Sequence, residues 1–145
     1  MIARNGGQPS KIEIDSTLGK TLTNPSPEAW LPGDIIIGQA EVQGRAQLFR
    51  AQLTRNPWKV TRVEQLTSGT GSAAHPSVAR DGTMVLSSED GDLDLWSLPF
   101  DPNQGRSTGE PHRLTQDAAL EAYPSISVDG TKLVYSAEQA NKSQI

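Results

Sequence analysis

Residues 66–88 read LTSGTGSAAHPSVARDGTMVLSS, and residues 114–136 answer them with LTQDAALEAYPSISVDGTKLVYS. Leu66-Thr67 pairs with Leu114-Thr115, Pro76-Ser77 with Pro124-Ser125, and Asp81-Gly82-Thr83 with Asp129-Gly130-Thr131, each at an offset of 48 without a gap. A fixed offset of that size is the mark of a repeat architecture, in which one supersecondary unit is stacked on the next. Asp-Gly supplies the backbone with positive φ that tight hairpins require. The alternation Asp92/Leu93/Asp94/Leu95 has the period of a strand.

Outward from this pair, the second unit reads as four short strands. Residues 76–79 and 83–87 flank the Asp-Gly turn, 93–98 follow, and 111–115 close the unit after a polar loop at 101–109. The third unit repeats the opening with strands at 123–128 and 131–137, and Gln144-Ile145 stands where Asp94-Leu95 begins the third strand of the unit before. The first unit is looser. Asn24-Pro25-Ser26-Pro27 reads as a loop, because proline fixes φ and lacks an N–H. After it come residues 29–31, a Pro32-Gly33-Asp34 turn, the buried strand Ile35-Ile36-Ile37, a third strand at 46–53, and residues 60–67 running into Leu-Thr. Ahead of these, residues 11–15 (KIEID) and 21–23 read as strands.

Four strands in about 48 residues make an all-β unit, a four-stranded antiparallel sheet. Units of roughly 40–50 residues with that content point to β-propeller blades, whose stability is shared across blade interfaces. The expected division is an incomplete propeller of about three blades: 10–23 (partial), 24–67, 68–115 and 116–145 (partial), together a fragment of a longer protein. An open propeller exposes a blade face, which neighbouring blades or self-association must cover.

Composition narrows function mainly by exclusion. The chain has 145 residues, a net charge of −4 and no cysteine, so disulfides, cysteine-ligated zinc and cysteine nucleophiles are absent. There is no Lys/Arg cluster to meet nucleic acid, and no segment nears the roughly 20 apolar residues of a membrane span. Residues 1–7 lack the apolar core of a signal peptide. Asp90-Gly91-Asp92-Leu93-Asp94 has the alternate carboxylates of a calcium loop without its later Gly and Glu, and reads better as a solvated turn entering a strand. No cofactor or metal is expected. Asn141-Lys142-Ser143 fits the glycosylation pattern, and Trp96, at a repeated aromatic strand position, is assigned to core.

The motifs HPSVARDGTMVLSS, YPSISVDGTKLVYSA, Asp94-Leu95-Trp96 and the recurring Leu-Thr resemble the TolB-like β-propeller repeat, whose blade runs Pro-Ser-x-Ser-x-Asp-Gly, an apolar strand, Asp-Leu-Trp and then Leu-Thr. Ala79 stands where Ser127 keeps the serine, and Arg80 and Val128 stand where the repeat usually has proline. The resemblance covers residues 10–145, most closely from 66 onward. It implies a non-catalytic scaffold that binds a protein or small ligand, of the kind found in the bacterial envelope outside the cytoplasm. An alternative it also allows is the gating propeller of a prolyl-oligopeptidase or tricorn-type peptidase, with catalysis in a separate domain. Of the two histidines, His112 carries no motif, whereas His75 precedes Pro76 as Tyr123 precedes Pro124. In a propeller that place opens the innermost strand, which makes His75 and Tyr123 the candidate ligand-facing residues.

Overall fold

A computed structural model describes residues 8–19, 22–90, 92–116, 119–139 and 142–145. The chain is all-β, with a single helical turn, α1 (Ser16–Gly19), near its start. Three sheets follow one another along the sequence. The first is ordered β1-β5-β4-β3-β2, from β1 (Glu13–Ile14), β2 (Thr23–Leu31), β3 (Ile35–Val42), β4 (Arg45–Thr54) and β5 (Lys59–Gln65). The second is ordered β10-β8-β7-β6, from β6 (Ser72–Val78), β7 (Thr83–Asp90), β8 (Asp92–Asp101) and β10 (His112–Arg113), with β9 (Arg106–Ser107) also paired to β8. The third is β11 (Leu120–Ile126), β12 (Leu133–Gln139) and β13 (Lys142–Gln144).

The sheets stack because each has two apolar faces. Leu31, Ile35, Ile37 and Leu48 of the first interlock with Ala73, Met84, Leu86, Leu98 and Phe100 of the second, and Trp96 packs against this cluster half-buried. Alternation sends Val85, Ser87 and Leu95 to the opposite face of the second sheet, against which β11 lies. The repeated Leu-Thr now has a physical reason. Leu66 N–H donates to Leu48 O and Leu114 N–H to Leu95 O, both at 2.8 Å. The next hydroxyl completes the clasp, with Thr67 Oγ1 accepting Leu48 N–H at 2.9 Å and Thr115 Oγ1 accepting Leu95 N–H at 3.0 Å.

The structure corrects the sequence reading at several points. Residues 24–27 are not a loop but lie inside β2, where irregular register accommodates the prolines. Residues 11–15 do not begin a sheet of their own. Glu13 and Ile14 pair in parallel with Lys59 and Val60, and the Glu13 N–H reaches Trp58 O at 3.0 Å, so this segment edges the first sheet. Residues 20–21 lie outside the described residues, as do 1–7 and Asn141. The polar loop at 101–109 contains the short strand β9.

The gapless offset of 48 also fails beyond the second Asp-Gly turn. Ala79 N–H closes the first turn on Thr83 O, but Ser127 N–H closes the second on Lys132 O, one residue further on. Val78 therefore pairs with Met84, whereas Ile126 pairs with Leu133. From there the true equivalents are Met84/Leu133, Val85/Val134, Leu86/Tyr135 and Ser87/Ser136. A one-residue slip in a strand moves every side chain to the other face, so this correction decides which third-sheet residues point outward.

Both turns are tied by their aspartates. Asp81 Oδ1 accepts Thr83 N–H at 2.9 Å, and Asp129 Oδ1 accepts Thr131 N–H at 3.1 Å together with the Ser127 and Thr131 hydroxyls. Those bonds to Ser127 and Thr131 hold the Asp129 carboxyl down at about 2, from an ordinary 3.8. The folded value is the lower one, so the charge stabilises the fold above pH 3.8, and that contribution is lost as pH falls through about 2. Melting temperatures of wild type and Asp129→Asn between pH 5 and pH 2 should therefore converge on acidification. Parallel curves would dismiss the carboxylate's role.

Candidate functional site

The X-Pro-Ser triplets build the same local device three times. In β6, Ala74 pairs with Ser87 and Ser77 with Val85, so His75 and Pro76 together oppose one residue, Leu86. In β11, Tyr123 and Pro124 likewise oppose Tyr135, and in β2, Asn24 and Pro25 oppose Ala40. Each is a bulge, a place where a strand tolerates proline because the extra residue is out of the ladder. The first bulge residue is left-handed in every case: Asn24 at φ 50°, His75 at 53° and Tyr123 at 54°. That conformation suits asparagine better than a bulky ring. Beneath two of the bulges a serine occupies the disturbed carbonyl, with Ser87 Oγ donating to Ala74 O at 3.2 Å and Ser136 Oγ to Ala122 O at 3.1 Å.

The two residues singled out from the sequence are neighbours. The His75 and Tyr123 rings lie 4.4 Å apart, centroid to centroid, tilted by 45°. His75 is half-buried and Tyr123 is 65% exposed. The His75 backbone N–H donates to Gln39 Oε1 of β3 at 3.2 Å, so all three sheets meet at this ridge. No side-chain hydrogen bond from either ring to protein occurs among the described residues, which leaves the imidazole nitrogens and the phenol open to a ligand. His112 lies apart from the ridge, exposed on β10.

A cleft of about 480 Å³ opens where the chain crosses from the first sheet to the second. Gly69, Thr70 and Gly71 form one wall, Trp96 and Leu98 the floor, and Glu110 part of the rim. Gln47 fastens the crossing by donating from Nε2 to Gly71 O at 2.8 Å and accepting the Thr67 hydroxyl on Oε1 at 2.9 Å. Sequence reasoning missed this cleft, whose only trace in the sequence is the run Ser68-Gly69-Thr70-Gly71-Ser72. It also misplaced Asp94, which is not solvated: its carboxylate is buried, with Oδ2 on Arg113 Nη2 at 2.5 Å and Oδ1 unpartnered. Leu95 beside it is fully buried and Leu93 half-buried. Among the described residues, no three His, Cys, Asp or Glu side chains gather to hold a metal ion. No helix of the described residues is long and apolar enough to cross a membrane. Neither a known protein-family model nor a curated protein sequence matches the chain.

Proposed function

We propose that the three sheets are blades of a TolB-like β-propeller and that the chain is a non-catalytic binding module for a protein partner, with the His75–Tyr123 ridge as its ligand-facing edge. The observation that carries this reading is the repeated bulge. It projects one variable residue from the first strand of each sheet while Pro and Ser stay constant, and it sets two of those residues side by side at 4.4 Å. Holding a bulky ring at positive φ costs on the order of 1–3 kcal/mol, and such conformations gather at functional positions. Partially exposed rings with free polar atoms suit recognition of a peptide or loop, since histidine and tyrosine combine an apolar face with a hydrogen-bonding tip. The resemblance to envelope proteins suggests a partner outside the cytoplasm.

The test is comparative retention. Wild-type chain and His75→Asn/Tyr123→Ser are immobilised, exposed to an extract of the source cells, and the retained proteins quantified by mass spectrometry. Asparagine already occupies the equivalent bulge at Asn24, so the variant should keep the wild-type circular dichroism. At least one protein retained by wild type should fall about ten-fold on the variant. Equal retention of every protein overturns the ridge as the binding edge.

A further inference from the structure

The stacking of the sheets leaves one face without a partner, and the chain itself shows what covers such a face. On the second sheet Val85 is 2% exposed, because β11 lies over it. Its structural equivalent on the third sheet, Val134, is 51% exposed. Polar positions show the same contrast. Ser77 Oγ accepts Ile126 N–H at 3.1 Å across the interface, whereas Ser125, the same position one sheet on, is exposed and its hydroxyl has no partner among the described residues. Arg80 N–H donates across to Val128 O at 3.0 Å, whereas no acceptor meets Val128 N–H among the described residues. Leu120, at 53%, and Tyr123 extend the exposed apolar surface along β11.

The complementary face is the outer side of the first sheet. Trp30 pairs with Ile36, which points away from the Ile35 and Ile37 side that meets the second sheet. Trp30 is 47% exposed there, on the first strand of its sheet, where β11 stands in the third. We propose that the open face of the third sheet docks the outer face of β2 from a second copy of this chain, so that β2 of one copy does for its partner what β11 does within the chain. The contact is head-to-tail, and such contacts stay finite only if they close. Rings of these sheets close at about four to eight members, and two copies of three sheets give six, so the closed form is a dimer. The inference rests on the propeller reading.

The test is the mass in solution, by light scattering, of the 145-residue chain and three preparations. Wild type should have twice the chain mass of 15.6 kDa. Val134→Arg and Trp30→Arg, both at exposed sites, should each give the single mass with unchanged circular dichroism. An equimolar mixture of the two variants should recover the double mass, since one undamaged face of each kind remains. A monomeric wild type overturns the dimer and assigns the face to some other protein. A dimer that survives Trp30→Arg shows like faces in contact and also overturns it. If wild type is monomeric while His75→Asn/Tyr123→Ser still loses its retained protein, the dimer fails and the binding reading stands.

Discussion

Phe100→Ala is expected to destabilise the chain by about 3–5 kcal/mol, the range for deleting a buried aromatic side chain that its surroundings cannot collapse onto. Phe100 is 2% exposed and sits in the cluster joining the first two sheets. Its backbone is fixed too. Phe100 N–H donates to Gly82 O at 2.6 Å, and a Cβ on Gly82, at φ 92°, would stand 2.7 Å from Phe100 O. The strand therefore cannot shift to fill the void, because Gly82 and Phe100 already touch through their backbones. The interface is pinned nearby by Arg50, whose Nε donates to Gln104 O at 2.7 Å while Gly105 packs on Ile35 and Arg50. Urea titrations of wild type and variant decide the matter. A loss below about 1 kcal/mol would mean that the cluster rearranges, contrary to the close packing described.

The repeats made the strand content and the turns readable from sequence, because Asp-Gly and Leu-Thr each answer a local backbone need. Gly82 and Gly130 take positive φ, and Thr67 and Thr115 fill a hydrogen bond that the last strand would otherwise leave open. Two things were illegible for the same reason. The Thr131-Lys132 insertion and the bulges at Asn24, His75 and Tyr123 are register events, and register depends on pairing with a strand elsewhere in the chain. Periodicity within one strand cannot report it. The alignment of TMVLSS with TKLVYS looks gapless because neighbouring apolar residues substitute for one another, although the true match is MVLSS with LVYSA. Of the candidate site, the sequence marked His75 and Tyr123 as equivalent positions, but only the stacking of two sheets makes equivalent positions adjacent. The burial of Asp94 escaped notice because alternation placed it among polar residues, while its salt-bridge partner Arg113 lies on another strand, β10.

That buried pair carries the other large expected effect. Arg113→Met should cost about 3–5 kcal/mol, since removing one partner strands a carboxylate in the interior. The side chain of Asp94 is 8% exposed, and its Oδ1 already lacks a partner, so Arg113 Nη2 on Oδ2 is its only compensation. Arg113 is itself held in place by donating from Nε to Thr115 O at 2.8 Å, which ties the pair to the Leu-Thr clasp. The first sheet solves the same position with an uncharged group, Gln47, whose amide both accepts from Thr67 and donates to Gly71 O. The reason for the loss therefore predicts its cure. Asp94→Gln in the Arg113→Met background removes the buried charge and supplies a side chain that can reach the Thr115 hydroxyl, and should recover most of the lost stability. A double-mutant cycle measured by thermal melting separates the two explanations. If Arg113→Met is harmful only through lost packing of its stem, Asp94→Gln will not rescue it, and the double variant will be no more stable than Arg113→Met alone.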